Sequence, residues 1–391
     1  MSLRQKILGE IHERGPIPFS RYMEMCLYDP EYGYYSRNAE QFGKAGDFYT
    51  SSDVHAVFGR LLARQFDEMW RAMGSPEAIE LLELGPGRGL FAQDVLDWSE
   101  KKFPSFFQAV RYSLLESSVA LRERLEAILR RHLESEKARL VDNTGWILDR
   151  EFGGSRPVPL PLPRSLPADV PLIVFANEFF DALPVEVLSA NGSLRIGARE
   201  NALVEAWTSA SPRELEFLDR YGIHPQNGER TEASLATTGW AKSIAATIQT
   251  GFLIAIDYGY TRDEQLVGRH VDTLMTYREH SATPDPYQAP GEQDITAHVN
   301  FTALSAALES GGMETYKLRT QSQFLLGIGE KNEFADAFEE CGLPQEKAKV
   351  ALQLKHLVTP MGMGETFHVL VASQGVNREA VESLIGLSFG K

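Results

Sequence analysis

The sequence predicts an α/β fold with a mostly parallel sheet, to which a helical N-terminal extension and several insertions are added. Two observations predict this fold. Short apolar runs alternate with helix-like stretches between residues 79 and 177, which is the order typical of parallel sheets. The first of these runs, residues 79–82, leads into an acidic, glycine-rich turn. Because ligands of such sheets bind beyond the carboxyl ends of the strands, the turn predicts a ligand site.

The turn at residues 83–89 reads Glu-Leu-Gly-Pro-Gly-Arg-Gly and precedes a helix-like stretch. Its glycines allow a tight bend and the close approach of a ligand, which the first N–H groups of the helix would face. A dinucleotide site needs a third glycine where Leu90 stands, and the phosphate-loop pattern is also absent. A carboxylate suits a cation, and S-adenosylmethionine carries a sulfonium and an ammonium but no phosphate. A glycine-rich turn can also simply close a strand–helix corner. The predicted cofactor-binding residues here are Glu83, Gly85, Pro86, Gly87 and Gly89.

Acids follow the next two predicted strands. Residues 110–116 end in Glu116, which can accept the ribose hydroxyls of an adenosine. NAD sites use the same feature, so Glu116 does not choose between cofactors, and a carboxylate at a helix N-terminus is the alternative. After residues 138–141, Asp142 is predicted near the adenine, although Asp-Asn is also ordinary turn chemistry.

The fourth predicted strand, residues 171–176, runs directly into Asn-Glu-Phe-Phe-Asp-Ala-Leu-Pro at 177–184. Asn177, Glu178 and Asp181 are therefore expected at the reactive end of the cofactor, where Asn177 also contacts the cofactor. The alternative is that Asn177 caps a helix and the acids are solvated. Planar guanidinium binds carboxylates in a fork, so Glu178 and Asp181 are predicted to orient an arginine. Asp257, after a fifth strand at 251–256, is expected behind them.

Residues 294–298 allow two interpretations. Asp294 could cap a helix that begins nearby, with Thr296 assisting. His298 could instead meet the substrate, because its ordinary pKa of about 6.5 lets it take a proton near neutral pH.

Several blocks of the sequence together resemble the MidA-type methyltransferases. They are residues 15–23, 28–30, 33–35, 42–50, the turn at Glu83, 177–184 and 291–299, with a weaker match at 363–367. The family comprises bacterial proteins and the mitochondrial factor needed for assembly of respiratory complex I. The resemblance implies a Rossmann-like, seven-stranded methyltransferase sheet, S-adenosyl-L-methionine as the cofactor, and arginine methylation of a protein substrate such as a complex I subunit. The mitochondrial relative makes symmetric dimethylarginine.

By the same resemblance, the backbone of the glycine-rich turn packs against the methionine part of the cofactor and Glu116 holds the ribose. The sequence departs from the family where Asn300 stands in place of an expected Asp, and where a basic residue is expected near Met275. Both departures fall on the presumed substrate side. Further residues that would border the cofactor are Gly46, Asp47 and Thr50.

The predicted activity is direct, single-displacement methyl transfer to a protein nitrogen, with arginine favoured. The enzyme would mainly align the nucleophile, the methyl carbon and the leaving sulfur. Two alternatives stay open: a cofactor-binding assembly or scaffold protein that acts through its partner, and an NAD-dependent oxidoreductase.

Composition agrees with a packed enzyme: of 391 residues, 43% are hydrophobic and 24% charged. A net charge of −15 argues against unspecific nucleic-acid binding and suits a basic protein partner. Cys26 and Cys341 offer neither a disulfide framework nor metal-ligand spacing, so no metal is expected. Residues 1–14 carry Glu10 and Glu13, unlike a transit peptide. We therefore expect a cytoplasmic, bacterial protein without membrane insertion, and leave a homodimer open.

Interruptions of the α/β alternation predict the organisation of the chain. Helices are predicted over 118–133 and from about residue 231 to 249, and Asn191-Gly192 is predicted as the turn of a β-hairpin. The expected segments are a helical extension with a cofactor-bordering loop at 1–75, a first core part at 76–184, a hairpin and polar insertion at 185–231, a core continuation at 232–258, a lid or substrate loop at 259–298, and a C-terminal core part at 299–391.

Overall fold

The fold is described from a computed structural model. It describes residues 2–37, 56–141, 169–268, 271–278 and 285–389, together with the backbone of short strands at 147–148, 157–158 and 281–283. Four residues predicted to contact the cofactor lie outside the described residues: Gly46, Asp47, Thr50 and Asp142.

The strands form a nine-stranded central sheet, a five-stranded outer sheet and two smaller sheets. In chain order they are β1 (Ile17–Pro18), β2 (Ile79–Leu84), β3 (Val110–Leu115), β4 (Ala138–Val141), β5 (Ile147–Leu148), β6 (Pro157–Val158), β7 (Leu172–Asn177), β8 (Glu186–Ser189), β9 (Gly192–Arg199), β10 (Ala202–Thr208), β11 (Arg230–Ala233), β12 (Gly251–Tyr260), β13 (Met275–Arg278), β14 (Ser281–Thr283), β15 (Asp294–Thr296), β16 (Val299–Asn300), β17 (Glu314–Thr315), β18 (Arg319–Thr320) and β19 (Phe367–Gln374).

Several helices begin at a residue whose side chain accepts a backbone N–H of the first turn, as Ser2, Ser118 and Asn300 do. In chain order the helices are α1 (Leu3–Arg14), α2 (Phe19–Tyr28), α3 (Tyr34–Arg37), α4 (Val57–Ala72), α5 (Leu90–Lys102), α6 (Pro104–Ala109), α7 (Val119–Ile128), α8 (Arg130–Glu134), α9 (Pro212–Tyr221), α10 (Leu235–Thr247), α11 (Arg262–Gly268), α12 (Phe301–Ser310), α13 (Gln321–Glu330), α14 (Ala335–Phe338), α15 (Pro344–Val358), α16 (Arg378–Glu382) and α17 (Ile385–Ser388).

The central sheet is mixed, and its main path runs β17-β19-β12-β7-β2-β3-β4. Strands β12, β7, β2, β3 and β4 are parallel, whereas β19 runs antiparallel to β12. The register places Leu84 beside both Leu115 and Ala176. Because the carboxyl ends of β2, β3 and β7 meet at one edge, the glycine-rich turn, Glu116 and Asn177 lie together there.

Helices bury the central sheet on both faces. All of β2 is buried. Its consecutive residues Leu81 and Leu82 belong to separate hydrophobic clusters, because successive side chains of a strand point to opposite faces of the sheet. In one cluster the rings of Phe91 and Phe175 stack at 4.5 Å, and the other contains Trp240 of α10. Burial on both faces explains why these strands read as continuous apolar runs in the sequence.

The outer sheet joins the N-terminal helices to the 185–231 insertion. Strand β9 pairs with β1, β8 and β10, and β8 also pairs with β11. Ile7 of α1, Tyr22 of α2 and Ile196 of β9 share a hydrophobic cluster with Ile295 of β15. Two segments that the sequence predicts as separate therefore meet in one layer, and β15 packs against it.

Three local predictions differ from the structure. The helix predicted over 118–133 is interrupted at Leu129, between α7 and α8. The helix predicted from residue 231 begins at Leu235, because Thr231 belongs to β11. Asp294 caps no helix, because its backbone is paired with Tyr277 in the sheet formed by β13 and β15. Within the described ranges, none of the helices has the length and apolarity required to span a bilayer.

Candidate active site

A cavity lies where the carboxyl ends of β2, β3 and β7 meet. The glycine-rich turn, the 177–184 turn, β15 and the N-terminal helices all contribute to its walls. Its lining includes Tyr28, Tyr35, Glu83, Gly85, Pro86, Gly87, Arg88, Leu90, Glu116, Ser117, Asn177, Glu178, Phe179, Asp181, Trp240, Tyr258, Asp294 and Thr296.

The glycine-rich turn needs glycine for its backbone. Gly85 and Gly87 have φ of 63° and 54°, in the left-handed region that other residues rarely adopt. The Gly85 N–H donates to the Leu115 carbonyl at 3.0 Å, which ties the turn to β3. A Cβ on Gly87 would meet nothing within 4 Å. The turn therefore leaves open space beside the cavity.

Gly89, also predicted to bind the cofactor, has a packing contact of its own. It does not belong to the cavity lining of the described residues. A Cβ there would lie 2.4 Å from Leu125 Cδ2, so its missing side chain lets α7 pack closely against the start of α5. Helix packing therefore explains the glycine at position 89, one residue before the third glycine of the dinucleotide pattern.

Glu83 belongs to strand β2 and not to the turn that follows it, and it is 5% exposed. The Tyr112 hydroxyl donates to its Oε2 at 2.9 Å from the neighbouring strand β3. Burial raises the pKa of Glu83 to about 8, a rise that the Tyr112 hydrogen bond opposes and the Glu116 carboxylate increases. A cationic ligand group would offset this cost and favour the ionised form.

Glu116 fits both of its interpretations. It lines the cavity, and it also lies just before α7, where the Ser118 N–H donates to its Oε1 at 2.8 Å. Burial raises the pKa of Glu116 to about 7, although hydrogen bonds from the backbone of Ser118, Gly87 and Ser117 lower it. These bonds fix the carboxylate at the edge of the cavity.

The turn at 177–184 places two acids in the same cavity. These residues, all in the described part of the chain, form no helix, so Asn177 caps none. Glu178 has φ of 50°, and its carboxylate accepts a hydrogen bond from Asn177 Nδ2 at 3.0 Å. Both Glu178 and Asp181 line the cavity. Phe179 lines it too, with its ring edge-to-face against Trp240 at 5.2 Å, whereas Phe180 is buried in the core.

Asp257 lies behind this turn, as predicted, and is fully buried. Its Oδ2 accepts hydrogen bonds from the backbone N–H groups of Phe180 and Asp181, at 3.0 and 3.2 Å. Burial, with the nearby carboxylates of Asp181 and Glu178, holds the pKa of Asp257 well above its ordinary value. Asp257 does not line the cavity in the described residues, so it shapes the turn rather than touching a ligand.

Asp181 is 5% exposed, and burial raises its pKa to about 6, against the effect of the Tyr258 hydroxyl. Its Oδ1 is buried and accepts no hydrogen bond from any described residue. Asn177 Oδ1 is also buried without a described partner. A buried acceptor without a donor is costly, so these oxygens favour a ligand that donates hydrogen bonds.

His298 is not among the described lining residues. Its ring packs edge-to-face on Tyr258 at 5.2 Å, and its N–H donates to Thr273 Oγ1 at 3.3 Å. Asn300, expected on the substrate side, is 2% exposed and caps α12 by accepting the Ala303 N–H. The structure therefore gives His298 and Asn300 packing and capping contacts.

Sequence reasoning missed several lining residues. Asp294 was interpreted only as a possible helix cap. Trp240 lies within α10, and no sequence motif around it indicates a contact with a ligand. Tyr28 and Tyr35 fall in the N-terminal blocks that resemble the family, which is a signal without an assigned role. Tyr258 follows Asp257 directly, at the end of the predicted fifth strand.

The residues present fit S-adenosylmethionine. The open space at Gly87 would take a close backbone contact, the buried Glu83 carboxylate would meet the ammonium, and Glu116 would meet the ribose hydroxyls. A family model described as "Putative S-adenosyl-L-methionine-dependent methyltransferase" matches residues 61–318, more than half of the chain. The chain belongs to this methyltransferase family. The predicted family, enzyme class and cofactor are thereby confirmed, and the oxidoreductase alternative is set aside.

Relatives in this family match nearly the whole chain. The mitochondrial protein arginine methyltransferase NDUFAF7 of Mus musculus is 30% identical, over 93% of this chain and 82% of its own length. Its Drosophila melanogaster homolog is 29% identical, over 96% of this chain and 85% of its own length.

A solved structure also matches this methyltransferase. A crystal structure of a protein from Burkholderia thailandensis, bound to S-adenosyl-homocysteine, has a TM-score of 0.81 and 28% identity. The match covers 99% of this chain and 94% of that one. The α/β methyltransferase fold, with its mixed sheet and flanking helices, is thereby confirmed.

Proposed function

We propose that this methyltransferase transfers the methyl group of S-adenosylmethionine to a side-chain nitrogen of arginine in a protein. The observation that carries the proposal is the buried Asp181 carboxylate, whose Oδ1 has no described partner and which lines the same cavity as the glycine-rich turn. A buried carboxylate is costly unless a cationic donor meets it. A guanidinium supplies such donors in a planar fork.

The bound cofactor supplies a methyl group on a sulfonium sulfur, which leaves as a thioether. Glu178 and Asp181 hold the guanidinium so that one nitrogen points at this methyl group, and such alignment contributes much of the rate. As the nitrogen–carbon bond forms, that nitrogen loses a proton, which Asp181 accepts. Because burial raises the pKa of Asp181 to about 6, it is a stronger proton acceptor than an ordinary aspartate. The rings of Phe179 and Trp240 exclude water.

The acceptor class is supported by the relatives as well as by the acids. The relatives from mouse and fruit fly are named protein arginine methyltransferases. The net charge of −15 agrees with a basic acceptor segment. By the family resemblance we propose a subunit of respiratory complex I as the acceptor.

The decisive experiment is methyl transfer in an extract from cells that lack this protein. The purified enzyme and isotopically labelled S-adenosylmethionine are added, and digests are read by tandem mass spectrometry. We expect label on arginine in one or a few proteins. Label on lysine alone, or on no protein, would refute the proposal.

A variant separates methyl transfer from scaffolding. Asp181→Ala should bind S-adenosyl-homocysteine in calorimetric titration but should not label arginine. Glu379→Ala, at an exposed acid of α16, is the matched control and should behave as the wild type. If cells that carry only Asp181→Ala still assemble complex I normally, the protein acts by binding its partner and the scaffold alternative gains.

Two finer statements are part of this proposal. We propose that the main path of the central sheet, β17-β19-β12-β7-β2-β3-β4, is the Rossmann-like, seven-stranded methyltransferase sheet, with the segments at 1–75, 185–231 and 259–298 added to it. We also propose a cytoplasmic location, although the named relatives are mitochondrial. Cell fractionation with an antibody tests the location.

A further inference from the structure

The cavity has an acid on β15 in addition to those of the 177–184 turn. Asp294 lines the cavity and is 5% exposed. Its Oδ1 accepts hydrogen bonds from the Tyr35 hydroxyl at 3.1 Å and from the Ile295 N–H at 2.9 Å. The side chain is therefore held in one position by groups from two distant parts of the chain.

The segments that carry Asp294 and Asp181 are fixed to each other. The Ala297 N–H, just beyond β15, donates to the backbone carbonyl of Asp181 at 3.0 Å. The Tyr28 hydroxyl donates to the next carbonyl, that of Ala182, at 2.9 Å. The two carboxylates thus face one cavity from a backbone frame with little freedom to move apart.

Burial and the carboxylates of Asp294 and Asp181 raise the pKa values of two tyrosines, Tyr28 and Tyr35. Burial, then the carboxylates of Asp294 and Asp181, hold the pKa of Tyr28 well above its ordinary value, and the same acids act on Tyr35. The phenols therefore remain neutral hydrogen-bond donors, and their rings border the cavity. The two acids and the two rings thus line one cavity, in which Asp181 Oδ1 accepts no hydrogen bond from a described residue.

We infer that Asp294, held by Tyr35, binds the acceptor guanidinium together with Asp181 and selects arginine over lysine. The inference rests on the proposed function. A guanidinium presents N–H donors along several edges of one plane, so it can meet carboxylates on two walls at once. The ammonium of lysine is a compact point charge and cannot span both. Aromatic faces beside the plane favour guanidinium further.

Binding to the complex with S-adenosyl-homocysteine tests this without turnover. The probes are a synthetic peptide around the arginine identified by mass spectrometry and matched peptides with citrulline or lysine at that position. In calorimetric titration, Asp294→Asn should weaken the arginine peptide about tenfold or more, the loss expected for one charge-assisted hydrogen bond. The affinity for the neutral citrulline peptide should fall less than twofold. The ratio of the affinities for the arginine and lysine peptides should also decrease.

Matched variants keep the outcome unambiguous. Glu379→Gln, which changes an exposed acid of α16 outside the cavity lining of the described residues, should leave all affinities within about twofold. Tyr35→Phe removes only the hydroxyl that holds Asp294 and should weaken the arginine peptide less than Asp294→Asn does. Equal losses for the arginine and citrulline peptides, or none, would overturn the inference. If the wild type itself binds arginine no better than citrulline, the proposed function fails instead.

Discussion

The N–H of Asp181 donates a hydrogen bond of 3.2 Å to the buried carboxylate of Asp257. The same Oδ2 atom accepts the Phe180 N–H at 3.0 Å, and Oδ1 accepts the Tyr258 N–H at 3.0 Å. Asp257 therefore positions an acid of the cavity through the backbone. It joins β12 to the 177–184 turn, which carries Glu178 in its left-handed conformation.

Replacing Asp257 should impair methyl transfer more than cofactor binding. An amide in Asp257→Asn offers one oxygen in place of two acceptors, so a backbone N–H loses its partner at a cost of about 1–3 kcal/mol. Misplacing Asp181 by about 1 Å should lower kcat by about 10²-fold. Steady-state kinetics, urea unfolding and titration with S-adenosyl-homocysteine measure the three effects. An unchanged kcat would refute the positioning role, and Glu379→Gln, at an exposed acid of α16, serves as the control.

The stability of the protein without cofactor should fall as the pH rises. Burial raises the pKa of Glu83 from 4.5 to about 8, so between these values the folded protein binds more protons than the unfolded chain. The free energy of unfolding therefore decreases through this window. Glu83→Gln should flatten the decrease in thermal melts between about pH 5 and 8. A slope should remain, because burial also raises the pKa values of Glu116, Asp181, Asp94 and Glu232.

Tyr112→Phe tests the same dependence of stability on the pKa of Glu83, but raises that pKa instead of removing the carboxyl. The Tyr112 hydrogen bond lowers the pKa of Glu83, so its removal should extend the decrease in stability to higher pH. S-adenosylmethionine should reduce the pH dependence in the wild type, because its ammonium favours ionised Glu83. Identical melting profiles for wild type and Glu83→Gln would contradict this account.

The parallel strands could be predicted from sequence because both faces are buried. Strands β2, β3, β4, β7 and β12 read as apolar runs. The acids Glu83, Glu116 and Glu178, at or after the ends of β2, β3 and β7, line the cavity. The hairpin of β8 and β9 was marked by the Asn191-Gly192 turn. These signals are local, so one sequence is enough to find them.

The cavity wall formed by α3 and β15 could not be predicted in this way. Tyr35 and Asp294 are 259 residues apart, and their contact depends on the packing of α3 and β15. Local chemistry favoured a helix cap at Asp294, but pairing of Tyr277 with Asp294 places it in a strand. Tertiary pairing outweighed local preference. Gly89 shows the same limit, because its neighbour Leu125 comes from another helix.

Adding a methyl group at Gly87 should block the cofactor while leaving the fold intact. A Cβ there meets no protein atom within 4 Å, so Gly87→Ala adds only the strain of a positive φ, about 1–2 kcal/mol. We expect affinity for S-adenosyl-homocysteine to fall about tenfold or more, because the space is needed by the ligand.

Gly228 provides a matched control for that variant. It has φ of 87°, its Cβ would also meet nothing within 4 Å, and it does not line the cavity in the described residues. Gly228→Ala should show a similar loss of thermal stability with unchanged cofactor affinity. Equal losses of affinity in both variants would mean that strain, and not ligand contact, explains the effect.

The rate of methyl transfer should rise with pH and level off above about pH 6, where Asp181 is ionised. Burial raises its pKa to about 6, and only the ionised form can both hold the guanidinium and accept its proton. Asp181→Asn should lower kcat by about 10²-fold or more, the usual contribution of a positioned proton acceptor, and remove the inflection. Glu178→Gln should weaken acceptor binding but keep the inflection near 6, because the Asp181 carboxyl is still present. Initial rates between about pH 5 and 8, at saturating cofactor and limiting acceptor, measure kcat/KM, which reports the pKa of the enzyme before the cationic acceptor binds. If the inflection survives in Asp181→Asn, another group accepts the proton, and Asp181 only orients the acceptor.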